Sequence, residues 1–193
     1  LTYMNKIIQS NLEEHKEVLN QLDSLEVAIE RVAELLICSL KENKTIFWCG
    51  NGGSASDSQH LTGELIGRFK EDREPLKSIS LNADSAVMTC IVNDYGYDYI
   101  FSRQIEALGS EGDVLLGIST SGKSNNVNNA FKVAKINKIH TVGLLGKGGG
   151  EAGVLVDNAI LIPSQSTARI QEMHITIGHI LCDLIEEGLG INS

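Results

Sequence analysis

Proline is nearly missing from this chain, at 2 of 193 residues, and no repeat or low-complexity tract interrupts it. Collagen-like, mucin-like and disordered classes are thereby excluded. No apolar run approaches the roughly 20 residues that a membrane-spanning helix needs, so no membrane partner is expected. The opening stretch, LTYMNKIIQSNLEEHKEVL, is charged and amphipathic and has no apolar h-region. It does not read as an export signal, and a cytoplasmic location is the expectation. Positive charge is short too, with a formal net charge of −9. An acidic surface repels phosphate backbones, so nucleic acid is not an expected partner. Any anionic ligand must then be held by local geometry rather than by the overall field. The four cysteines, Cys38, Cys49, Cys90 and Cys182, form no C-x-x-C pair. Each sits among apolar neighbours, which predicts buried free thiols in a reducing compartment.

What is present fits one domain at about 100–200 residues per domain. A chain of this size buries roughly 70% of its unfolded surface and needs no disulfide staples. The first 40 residues read as a helical hairpin. Ile8, Leu12, Val18, Leu19 and Leu22 fall close to one face of a first helix. Asp23 and Glu26 form a capping-box pattern that would start a second, carrying Leu25, Ile29, Val32, Leu35, Leu36 and Leu40. Residues 1–43 are thus expected to serve packing or oligomerisation, and residues 44–193 to form the core. From Thr45 short apolar runs (45–49, 78–81, 114–119, 141–145 and 159–163) alternate with helical stretches (about 55–69, 84–92, 98–108, 124–136 and 167–187). Near-continuous apolar strands separated by helices predict a parallel sheet covered on both faces, a doubly wound α/β sandwich. EDREP at 71–75 reads as the most loop-like charged stretch.

Ligands of such sheets bind beyond the carboxyl ends of the strands. Two loops there stand out. Gly50-Asn51-Gly52-Gly53-Ser54 follows the first strand; it reads either as an ordinary turn or as a loop whose N–H groups approach a ligand. It matches neither the P-loop nor the full G-x-G-x-x-G pattern. Ser119-Thr120-Ser121-Gly122-Lys123-Ser124 follows the third strand and opens a helix. One serine suffices to cap a helix, whereas four hydroxyls at a dipole's positive end suit a phosphate dianion. Asn93-Asp94, after an apolar helical segment, reads equally as a turn or as a pair of donors and acceptors for sugar hydroxyls.

His60 and Glu64 share one helical face by their i, i+4 spacing, and Gln171 and His179 share another, eight residues apart. Gly178 in that second helix costs about 1 kcal/mol relative to Ala, which implies close packing beside His179. His15 and His174 read as exposed, and His140 as preceding a strand. If the four residues converge, two imidazoles, a carboxylate and an amide oxygen suit a borderline metal such as zinc. Without metal, Glu64 and His179 suit a general base and a general acid.

Three segments together, 49–69 (CGNGGSASDSQHLTGELIGRF), 91–127 and 168–186 (ARIQEMHITIGHILCDLIE), resemble the sugar-isomerase (SIS) domain and, within it, the bacterial phosphoheptose isomerase family. The resemblance runs along nearly the whole chain. It implies a three-layer, flavodoxin-like sandwich on a five-stranded parallel sheet. It also implies a homotetramer with active sites at subunit interfaces, and isomerisation of sedoheptulose 7-phosphate to D-glycero-D-manno-heptose 7-phosphate. Carried over by position, Ser119, Thr120, Ser121 and Ser124 would hold the phosphate; Asn51, Gly52, Gly53, Asn93 and Asp94 would meet the sugar. His60, Glu64, Gln171 and His179 would bind zinc, with Glu64 and Gln171 also touching substrate. Glu64 and His179 would be catalytic. Some members carry Asp where this chain has Ala168. Alternatives are a non-catalytic SIS protein that binds the replication initiator, another phosphosugar aldose–ketose isomerase, or a sugar-phosphate sensor. The initiator-binding group lacks counterparts of Glu64 and His179, which favours the enzyme.

Overall fold

A computed structural model describes residues 2–191. The chain opens with α1 (Tyr3–Leu19) and α2 (Glu26–Lys41). The alternating part follows as β1 (Ile46–Gly50), α3 (Gly53–Ile66), β2 (Ser78–Ser80), α4 (Ser85–Tyr95), α5 (Ser102–Leu108), β3 (Val114–Ser119), α6 (Asn125–Ile136), β4 (His140–Leu145), α7 (Ala152–Leu155), β5 (Asn158–Leu161) and α8 (Thr167–Gly188). Every strand pair is parallel, in the order β2-β1-β3-β4-β5. The expected five-stranded parallel α/β sandwich is therefore what the chain forms. Strand order reverses between β1 and β3, the position at which open parallel sheets bind their ligands.

Side chains alternate through the central strands into two cores, as a period of two requires. Ile46 and Trp48 enter one, with α2, α3 and α8; Phe47 and Cys49 enter the other, with α5 and α6. β1 and β3 are buried at every position because both faces are covered. The edge strands β2 and β5 alternate between buried and open residues.

Several expectations need correction. The Asp23–Glu26 capping box does not form. A 3₁₀ turn at Leu22–Leu25 absorbs Asp23, and α2 starts at Glu26 behind Leu25 without a side-chain cap. The apolar stripe of α1 is not covered by this chain: Val18 is its one buried residue, whereas Ile8, Leu12 and Leu19 are exposed. Cys38 and Cys90 are exposed rather than buried; all four cysteines are free. His174 is fully buried, not exposed. EDREP is a loop, as expected, with four of its five residues exposed, but the Arg73 side chain is only 4% exposed against Glu186. α7, a single turn, carries too little periodicity to be legible in the sequence.

Candidate active site

Helices α3 and α8 lie side by side and run in the same direction. Gly53 meets Gln171, Leu61 meets Gly178, and His60 meets His179 along their length. Gly178 permits this approach, since a Cβ there would lie 2.6 Å from Leu61 Cδ2. The predicted close packing beside His179 is what the backbone shows. A Cβ at Gly53 would lie 2.6 Å from Gln171 Nε2, so the Gln171 amide lies directly over the loop after β1.

Parallel packing brings three of the four predicted donors to one point. His60 Nε2 lies 2.9 Å from His179 Nε2 and 3.1 Å from Glu64 Oε1. One ligand atom from each of the three residues falls within 4.8 Å of the others. Two imidazole nitrogens facing each other at 2.9 Å must share a proton or a cation, because two lone pairs at that distance repel. The donor set thus fits a zinc-type ion: nitrogen and carboxylate ligands from different helices, half-exposed on one side. The Phe69 ring stacks on His179 with centroids 5.5 Å apart and an interplanar angle of 22°. Asp57, one turn before His60, has a buried Oδ2 with no partner among the described residues. Burial pushes its carboxyl above the ordinary range, and His60 acts against that rise.

The serine loop sits at the carboxyl end of β3. Ser119 is buried, and its Oγ accepts the Gly122 N–H at 3.0 Å and lies 3.4 Å from Ser124 Oγ. Ser121 Oγ accepts the Lys123 N–H at 3.2 Å. Ser124 is the N-cap of α6 but makes no side-chain capping bond, which leaves its hydroxyl at the free N–H groups of the first turn. Thr120 is half-buried, with its carbonyl packed against Gly146. The loop is braced from behind. Gly122 has φ +63°, and a Cβ there would lie 1.8 Å from the Gly149 carbonyl oxygen. The Ala152 N–H donates to the Gly122 carbonyl at 2.9 Å.

Asn51 joins the two loops. Its amide exchanges two hydrogen bonds with Asn126 at the start of α6, at 2.9 and 2.8 Å, and its oxygen also accepts the Tyr97 hydroxyl at 2.8 Å. Gly52 is the N-cap of α3, at φ 58°. Asn93 and Asp94 lie in the last turn of α4, both exposed, and hydrogen-bond to each other at 2.8 Å. No hydrogen bond among the described residues carries either of them to the other candidates. Tyr97, Asn126, Phe69 and Asp57 went unread in the sequence. Only the proximity of Tyr97 to Asn93-Asp94 within one segment offered any signal for them.

A SIS domain is matched over residues 11–146. The chain is 49% identical over 185 residues to phosphoheptose isomerase of Campylobacter jejuni, covering 96% of this chain and 100% of that protein. Among solved structures it resembles phosphoheptose isomerase GmhA from Neisseria gonorrhoeae, with a TM-score of 0.91 at 37% identity over 95% of this chain and 99% of that one. Phosphoheptose isomerase from Francisella tularensis gives 0.90 at 34% identity, over 97% and 100%. With the domain match, the sequence identity over nearly the full length and the fold all in common, the chain belongs to the SIS-domain family and, within it, to the phosphoheptose isomerases.

Proposed function

We propose that the protein converts sedoheptulose 7-phosphate to D-glycero-D-manno-heptose 7-phosphate, the first step toward activated heptose. The convergence of His60, Glu64 and His179 carries this reading together with the family. Aldose–ketose exchange needs a base at carbon, an acid at the carbonyl oxygen and an anchor for the distal phosphate. Glu64 removes the C1 proton while His179 donates a proton to the C2 carbonyl oxygen, which gives an enediol. Protonated Glu64 then returns its proton to C2, and His179 takes the O1 proton as the C1 aldehyde forms. Ser119, Thr120, Ser121 and Ser124 bind the phosphate at the N-terminus of α6, where hydroxyls and free N–H groups suit a dianion. Asn51, Gly52, Gly53, Asn93 and Asp94 form the sugar-facing part.

His60, Glu64, Gln171 and His179 would hold one zinc ion per subunit. Bound there, zinc would supply Lewis acidity toward the substrate's oxygens. Glu64 then serves as ligand or base in turn, since a coordinated carboxylate is a weakened base. The protein works as a homotetramer with its sites at subunit interfaces. Supporting this, Tyr3 and Met4 on α1 are 79% and 74% exposed, and α4 leaves Val87 and Val92 open. Residues 1–43 serve that packing and 44–193 form the catalytic core of one SIS domain. Free thiols favour a cytoplasmic site of action.

The test is conversion of sedoheptulose 7-phosphate followed by NMR, with and without a chelator. Appearance of the aldose is expected, and its absence even with added zinc overturns the reading. Capture of the replication initiator without turnover would favour the non-catalytic alternative. Turnover of a hexulose 6-phosphate or arabinose 5-phosphate in preference would reassign the substrate.

A further inference from the structure

Behind the reacting end, the loop between α3 and β2 is folded around one carboxylate. Glu186 of α8 is fully buried, at 0% exposure. Its Oε1 accepts the Phe69 N–H at 3.1 Å and Arg73 Nε at 2.9 Å; its Oε2 accepts the N–H groups of Lys70 at 3.1 Å and Glu71 at 3.3 Å. Arg73 extends the network toward the catalytic helix. It donates through its two terminal nitrogens to the Glu64 carbonyl at 2.7 Å and the Leu65 carbonyl at 2.9 Å. These carbonyls belong to the last turn of α3, where no further helical N–H is available to them. One ion pair therefore caps α3, fixes the loop and binds both to α8.

A buried ion pair is a poor device for stability alone, since an apolar pair of similar volume is often neutral or better. What it does supply is fixed geometry, because the carboxylate has four donors and the guanidinium a rigid fork. Two catalytic elements depend on that geometry. Glu64 is held by its own main chain, and Phe69 is held by the N–H that Glu186 accepts while its ring lies against His179.

We propose that the buried Arg73–Glu186 pair is the positioning element of the reacting end, setting the Glu64 backbone directly and the His179 ring plane through Phe69. The inference rests on the acid–base reading of Glu64 and His179. None of Phe69, Arg73 and Glu186 touches substrate in this account, so their variants should lower kcat while leaving KM in place.

The experiment measures kcat and KM for sedoheptulose 7-phosphate in Phe69→Leu, Phe69→Tyr, Arg73→Lys, Glu186→Gln and Glu64→Gln. It also records the His179 ring-proton resonances, assigned by their loss in His179→Ala. Phe69→Leu is expected to lower kcat roughly 10- to 100-fold, with KM within about twofold. Its His179 resonances should move downfield as the ring current is removed, and Phe69→Tyr should restore both. Glu186→Gln and Arg73→Lys should follow Phe69→Leu. Should Glu186→Gln not fold, Arg73→Lys and the two Phe69 variants carry the test. Parent kcat and unshifted resonances in Phe69→Leu or Arg73→Lys would overturn the proposal, as would a loss that Phe69→Tyr fails to rescue. Glu64→Gln separates the two layers of the argument. If it retains turnover, the acid–base reading fails; if it is inactive while Phe69→Leu is unimpaired, only the positioning role fails.

Discussion

In the loop after β3, the Ser119 and Ser121 hydroxyls already hold the Gly122 and Lys123 N–H groups, and the Gly149 carbonyl packs where Gly122 would carry a Cβ. On α3 and α8, by contrast, the His60 and Glu64 side chains are 49% and 24% exposed and face His179 across a gap that a proton or cation must bridge. The proposed anchor end is thus largely braced by the chain itself, while the proposed reacting end is left with unspent valence. This division matches the needs of an isomerase. A phosphate is held best by donors fixed before it arrives, whereas proton transfer needs groups that can change charge state. Stability and activity should therefore separate between the two ends.

The largest expected effect tests the reacting end. Glu64→Gln should lower kcat by roughly 10²- to 10⁴-fold while the melting temperature stays near the parent value, as a general base contributes on that scale. An equal loss of stability would break the comparison. Gly122→Ala should do the opposite kind of damage. A left-handed residue with a Cβ 1.8 Å from a carbonyl oxygen should cost about 3 kcal/mol in urea unfolding. A neutral result would mean that the brace is soft.

His174 supplies a pH test of the same anchor side. Its Nε2 lies 3.2 Å from the Leu145 carbonyl at the end of β4, while its Nδ1 is buried without a partner. Burial pushes its pKa down from 6.5 to about 4, and the hydrogen bond to Leu145 opposes that shift. The unfolded chain therefore binds a proton that the folded one refuses between these values. Stability is complete above pH 6.5 and falls by about 3 kcal/mol as pH drops toward 4. Unfolding curves across that window check this, and a His174→Gln chain should lose the slope. The smallest effect belongs to Ser124→Ala, where one hydroxyl should raise KM by roughly fivefold, about 1 kcal/mol, with kcat unchanged. A fall in kcat alone would shift Ser124 from the anchor to the chemistry.

Much of the frame was legible because local pattern determines it. Strand runs such as VLLGIS at 114–119 are apolar throughout because β3 is covered on both faces. His60 and Glu64 were readable as a pair from helical spacing, and their meeting with His179 followed only once α3 and α8 were known to run parallel. The serine loop was readable from its density of hydroxyls. The Phe69–His179 stack and the Arg73–Glu186 pair were not, since each spans more than 100 residues and neither carries a local signature. EDREP read correctly as a charged loop, but nothing in it marks Arg73 as the residue that turns inward to a buried carboxylate. The Asp23 cap failed for a related reason: a 3₁₀ turn competed for the same residues.

The contact between Gly122 and the Gly149 carbonyl separates two properties that usually change together. Because main chain meets main chain there, the placing of Gly122 against Gly149 does not depend on the Thr120 and Ser124 hydroxyls nearby. Thr120 and Ser124 can be exchanged among small polar residues and alter only which donors are offered, whereas Ser119 and Ser121 also hold N–H groups of the loop. The two glycine-bearing loops, in turn, can drift only as a pair.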